Sequence, residues 1–174
     1  MDKTMNILRT AALGATFISC HLFAADSVNV NVTGNIVASP CIFNGGNNTL
    51  DINLGSIQAS NMATPGSTSD PVPFSLPFTR CPAGTRSVTV SFTGNPDPIA
   101  GADYYMNSGS ATNVAIAMSE AATGALKGTG TSITQTIAAD RTATMAMQAL
   151  VKSVTGGATP GSISAVVVMT MQYN

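Results

Sequence analysis

The 174-residue sequence has no tryptophan, one histidine and only 9% charged residues. Each shortage narrows what the chain can do. Without tryptophan, and with tyrosine confined to Tyr104, Tyr105 and Tyr173, a saccharide-binding module lacks the aromatic wall that usually lines such sites. The adjacent Tyr104 and Tyr105 are the one candidate binding loop, and packing of one or both rings is the alternative. Basic residues are too few and too scattered to form a nucleic-acid patch, and no charge run marks a disordered tail. The only histidine, His21, lies in an amino-terminal segment that reads as removable. The rest offers no nucleophile beside a base, no metal-ligand spacing and no phosphate-cradling glycine loop. Asp97 and Asp103 are its only close carboxylates, in a loop rich in Pro and Gly. An enzyme is therefore not expected, and neither are catalytic, cofactor-binding or metal-binding residues or a small-molecule substrate. Long windows of helical periodicity are missing as well, although a short helical turn fits residues 57–62.

What is present begins with an export signal. Lys3 and Arg9 precede an apolar run over residues 11–18, and the small residues Ala24 and Ala25 follow. The run is too short to span a bilayer comfortably, and the order is that of a secretory signal peptide over residues 1–24, with cleavage after Ala24 or Ala25. Lipoprotein processing at Cys20 is the competing reading, and bulky Phe17 argues against it. Removing residues 1–24 leaves about 150 residues, a single-domain length. Five basic residues then stand against seven acidic ones, a net charge of −2. Cys41 and Cys81 are the remaining cysteines. In an oxidising export compartment a bridge between them is the default, and two buried thiols are the alternative.

The dominant pattern is period-2 alternation in short runs. It recurs at Leu50, Ile52 and Leu54; at Val72, Phe74, Leu76 and Phe78; at Val88, Val90 and Phe92; and at Val114, Ile116 and Met118. Further runs hold Ile133 and Ile137, then Met145, Met147, Ala149 and Val151, with turn-forming residues between runs. Short strands at this spacing predict an all-β, immunoglobulin-like sandwich. Pro71, Pro73 and Pro77 require their strand to lie at an edge or be interrupted.

Two runs stand out at the ends. Val28, Val30, Val32, Gly34 and Ile36 share one parity near the front, and Ile163, Ala165, Val167, Met169, Met171 and Tyr173 share one at the back. The latter forms an apolar edge strand that a soluble monomer has to cover.

The stretch Val32-Thr33-Gly34-Asn35-Ile36-Val37-Ala38-Ser39-Pro40-Cys41, then Leu54-Gly55, then Arg80-Cys81-Pro82, then a last strand reaching Tyr173, resembles a chaperone-usher fimbrial subunit. Gly161 matches the glycine that such pilins carry before their last strand. The order of parts, including Ala111-Thr112-Asn113-Val114 and the glycine-rich residues 156–161, is similar to type 1 pilins.

The resemblance implies an incomplete immunoglobulin-like sandwich lacking its last strand and completed by donor-strand complementation. Residues 25–37 are then the donor extension and residues 38–174 the pilin domain. Val28, Val30, Val32 and Ile36 enter a neighbour's groove, and Gly34 fits where a side chain would collide. Gly161, Ile163, Ala165, Val167, Met169, Met171, Tyr173 and Asn174 form the strand that lines the groove and meets chaperone or donor. The implied partners are a periplasmic pilus chaperone, an outer-membrane usher and neighbouring fimbrial subunits, without nucleic acid. The implied route runs through the periplasm to the cell-surface fimbrium. Residues 81–85 and the Tyr104 segment look more like a minor tip-adaptor pilin than the major rod subunit. The reading from another class is a secreted β-sandwich sugar-binding adhesin. A two-domain tip adhesin needs an extra receptor-binding domain, for which this length has no room.

Overall fold

The computed structural model describes residues 27–36 and 39–174. The expected signal peptide, Ala25, Val37 and Ala38 lie outside the described residues. The chain divides into residues 1–35 and 36–174. Of the first unit, residues 27–35 form no strand, and Val28, Val30 and Val32 are exposed, Val32 at 89%.

The described residues of the second unit hold nine strands: β1 (Ile42–Phe43), β2 (Val72–Thr79), β3 (Ser87–Gly94), β4 (Pro96–Asp97), β5 (Gly101–Met106), β6 (Val114–Glu120), β7 (Ser132–Thr136), β8 (Ala143–Ser153) and β9 (Val167–Tyr173). They form a six-stranded sheet ordered β1-β2-β8-β6-β5-β4 and a three-stranded sheet ordered β7-β3-β9. All pairings are antiparallel. The sandwich core follows from the alternation. Leu76 and Phe78 of β2, Val88, Val90 and Phe92 of β3, and Met145, Met147 and Ala149 of β8 are buried, while Ser75, Ser91, Thr144 and Ala146 between them are exposed.

Strand β6 departs from one-sided burial, because Ala115 and Ala117 on its second face are buried too. Their ladder partners are Lys152 and Leu150, longer side chains that flank the small ones. Proline explains the place of β2. Only its last two residues pair with β1, as Thr79 with Ile42 and Phe78 with Phe43, so Pro73 and Pro77 face an edge with no ladder on that side among the described residues. The short helical turn is a 3-10 turn at Ala59–Met62. It drops Met62 into a second apolar cluster with Ala111, Val114 and Val151. The buried Ser153 hydroxyl beside it donates to the Met62 carbonyl at 2.8 Å, so no polar group is stranded there.

Candidate functional site

A cleft of about 610 Å³ opens along the sandwich between residues 50–57 on one side and residues 161–169 on the other. Phe74, Ile116, Met118 and Ala149, contributed by β2, β6 and β8, lie along it. Both walls alternate. Leu50, Ile52 and Leu54 are half-buried and packed on the core, with Asp51 and Asn53 turned out to solvent. Opposite them, Ile163, Ala165, Val167, Met169, Met171 and Tyr173 pack on the core, with Ser164, Val166, Val168 and Thr170 exposed.

The walls differ from ordinary strands in what their backbones bond to. Strand β9 pairs with β3 on one side and, among the described residues, is the outermost strand of its sheet. Residues 50–57 read as a strand from their alternation, yet no ladder forms there. Among the described residues their one hydrogen bond runs from the Gly55 N–H to Asn53 Oδ1, at 2.9 Å. Their side chains hold them against the core, and among the described residues no backbone partner takes their amides and carbonyls. The result is an apolar trough bordered by two backbone edges that have no ladder on the cleft side among the described residues, a template for strand addition.

Local geometry explains the glycine at the head of the second wall. A Cβ on Gly161 would lie 2.7 Å from the Ser110 carbonyl carbon and 2.8 Å from the Ala111 Cα. Gly109 approaches Ser162 in the same way, with a Cβ position 3.0 Å from the Ile163 nitrogen. The two backbones are stitched by Ala111 N–H to Ser162 O at 3.0 Å and Ser108 N–H to Ser164 O at 2.8 Å. At the other end of the wall, the Asn174 N–H donates to Ser87 O at 3.0 Å, extending the β3–β9 ladder. The Tyr173 ring is half-buried, and burial raises its hydroxyl pKa.

Cys41 and Cys81 are bridged, with 4.2 Å between their Cα atoms and 40 positions between them in sequence. The bridge ties the start of the domain to the end of β2. Of the front residues, Val28, Val30, Val32 and Ile36 are exposed, and a Cβ on Gly34 would meet nothing within 4 Å.

The tyrosine pair is divided between core and surface. Tyr105 is 1% exposed, its hydroxyl donates to the Lys127 carbonyl at 2.7 Å, and burial pushes that hydroxyl up to about 12. Tyr104 is half-buried under Lys152, whose Nζ lies 4.3 Å from the ring centroid and donates to the Tyr104 hydroxyl at 2.9 Å. Packing of both rings is therefore the outcome. Asp97 is occupied as well, since its Oδ1 accepts from the Ile99 and Ala100 N–H groups at 2.9 and 2.7 Å.

Sequence reasoning did not single out residues 50–57, Phe74, Ile116, Met118 or Ala149 as parts of one cleft. The alternation was visible at each, and only the topology brings them together.

The family model for fimbrial proteins matches residues 30–174, nearly the whole of the described chain. The chain belongs to the fimbrial protein family. It is 33% identical over 156 residues to Protein FimG of Escherichia coli K12, covering 90% of each chain. Its fold is similar to that of the P pilus rod subunit PapA, with a TM-score of 0.61 at 22% identity over 84% of this chain and 100% of that one. A subunit from a chaperone-usher pilus gives 0.64 at 20% identity, over 88% and 99%. The chain is thus a fimbrial subunit of cell-surface pili, exported through the periplasm, and its fold is the immunoglobulin-like one of chaperone-usher pilus subunits. The family consists of structural subunits that polymerise with their neighbours.

Proposed function

We propose that the cleft is the acceptor groove for the amino-terminal extension of the next subunit, and that residues 25–37 of this chain are the donor strand for another. The observation that carries this reading is the pair of backbone edges, residues 50–57 and β9, that face one apolar trough and have no ladder partner there among the described residues. An inserted strand running antiparallel to β9 continues the pattern of the β7-β3-β9 sheet and makes the more stable ladder. Val28, Val30, Val32 and Ile36 are large apolar side chains left exposed, a costly state for a chain in water. Burying all four contributes roughly 6 to 12 kcal/mol before ordering costs. Gly34 then lies at the point where the trough admits no side chain.

Before assembly, a periplasmic chaperone covers the same groove, with Gly161 to Tyr173 as the docking strand, and an outer-membrane usher exchanges it for the donor. The subunit is a minor, adaptor-type one, a reading supported by the resemblance at residues 81–85 and at Tyr104. No step of this function calls for catalysis.

The test uses a synthetic peptide of residues 27–36 added to the exported chain. The expected result is slow, saturable binding that raises the melting temperature. A scrambled peptide of the same composition producing an equal shift would defeat the groove assignment.

A further inference from the structure

The end of the domain where β9 begins carries an unusual surface. Outside the amino-terminal segment, the exposed large apolar side chains among the described residues are Ile99, Met106, Val166 and Val168. Val166 is 77% exposed. Backbone contacts bring them to one end. The Val166 carbonyl lies 3.1 Å from the Cβ position of Gly94, the next residue is Asn95, and the Asn95 carbonyl accepts the Met106 N–H at 2.9 Å. Val168 is paired with Thr93, and Ile99 lies in the turn that follows β4. The patch adjoins the cleft, because Val167 lines it while Val166 and Val168 point away.

Chain length then decides what can reach this patch. In an antiparallel insertion, the amino end of the donor lies by Tyr173, and the eight residue steps from Val28 to Ile36 reach back along the wall to about residue 165. The body of the donating subunit leaves the groove beside Val166. Ile36 is the last apolar residue of the donor, and Cys41 is already bridged into the body. Five residue steps separate them, at most about 18 Å when fully extended. So short a tether keeps the bridged end of the incoming body within about 18 Å of the groove's exit. That end presents Pro40 and Ala83 exposed and Pro82 half-buried around the Cys41–Cys81 bridge.

We infer that Met106, Val166 and Val168, with Ile99 at their margin, form a second docking surface that receives the bridged end of the next fimbrial subunit, outside the strand-exchange groove. This rests on the donor-strand reading above and adds a body-to-body contact to it. The contact stiffens the joint and slows separation of neighbours, since water has to re-enter two apolar surfaces together.

The experiment compares the exported full chain with its Val166→Lys/Val168→Lys variant and with the isosteric Val166→Thr/Val168→Thr variant. Two readouts are taken: dissociation of self-associated whole chains, and binding of the free 27–36 peptide. The expected result is whole-chain dissociation about tenfold faster for the lysine pair, smaller but measurable for the threonine pair, and peptide binding equal to wild type in both. Unchanged whole-chain dissociation with normal peptide binding overturns the docking surface and leaves the groove reading intact. Peptide binding that falls in step with dissociation overturns it too, because the valines then act through the groove. A peptide that fails to bind the wild-type chain overturns the groove reading, and this one with it.

Discussion

Phe78 of β2 and Tyr173 of β9 meet edge to face across the sandwich, with ring centroids 6.5 Å apart and planes at 78°. Phe43 of β1 also packs on Phe78, with centroids 5.3 Å apart and planes tilted by 45°. Three rings contributed by three strands thus close one end of the core, next to the Cys41–Cys81 bridge. The tyrosine near the end of β9 does two things at once. It packs the two sheets together, and it fixes the end of the strand whose outer edge borders the open cleft.

Replacing Tyr173 by Ala removes a half-buried ring and its aromatic contact, at an expected cost of roughly 2 kcal/mol. Tyr173→Phe keeps the ring and loses only the contact from its hydroxyl to Met171 Sδ at 3.7 Å. Thermal unfolding should therefore separate the two variants clearly, with the Phe variant close to wild type. Equal losses would mean that the hydroxyl, not the ring, matters.

The disulfide is expected to contribute about 4 kcal/mol in the chain-entropy account, given its 40-residue separation. Cys41→Ala/Cys81→Ala should lower the denaturant midpoint by a corresponding amount. Treatment of the wild-type chain with a thiol reductant should reproduce the drop. A midpoint indifferent to both would show that the ladder between β1 and β2 suffices to hold this end.

Much of this arrangement was legible in the sequence because period-2 alternation is a direct image of a two-sided strand. Met145, Met147, Ala149 and Val151 mark the centre of β8, and the prolines of β2 leave an edge or an interruption, of which the edge is what forms over most of its length. The cleft was less legible. Leu50, Ile52 and Leu54 carry the same alternation as any strand, and whether a strand has a neighbour is a property of the topology, which residue pattern does not encode. Tyr105 was ambiguous for a related reason. Its partner, the Lys127 carbonyl, is 22 positions away and a backbone atom, so no residue type marks it.

The buried Tyr105 makes stability fall at high pH. Its folded pKa of about 12 lies above the ordinary value of 10.0, so the neutral hydroxyl is favoured in the fold. Stability from this source is fully present below pH 10 and is lost as pH climbs towards 12. Tyr173 is shifted in the same direction by burial and adds to the loss. A series of denaturation midpoints should therefore decline over that window for wild type, and less steeply for Tyr105→Phe. Below pH 10 the Phe variant should be weaker by about 1 kcal/mol, from the lost hydrogen bond to Lys127. Parallel curves for the two proteins would exclude Tyr105 as the source.

Gly161→Ala puts a methyl group into the backbone of Ser110 and Ala111, which cannot yield as the tip of a side chain can. The expected cost is roughly 1 to 3 kcal/mol, with the head of the groove wall displaced. Circular dichroism melts should show the loss, and the 27–36 peptide should bind more weakly to what remains folded. Gly157→Ala is not a fair control, because Gly157 has a φ of +62.

Gly34 offers the cleanest separation between folding and assembly. In this chain a Cβ at Gly34 meets nothing, so Gly34→Leu should leave the melting temperature of the isolated subunit unchanged. As part of a donor strand, the same side chain has to enter a trough whose walls are fixed by the core. Overpacking of that kind costs roughly 1 to 3 kcal/mol, which corresponds to about a 5- to 150-fold weaker peptide in a competition assay. A peptide carrying Leu at position 34 that competes as well as the native one would place Gly34 on the outward face of the donor. The register would then shift by one residue, which turns the valines out of the groove as well. Stability alone cannot separate these registers, whereas competition by the Gly34→Leu peptide, measured beside Val30→Ser and Val32→Ser peptides, can.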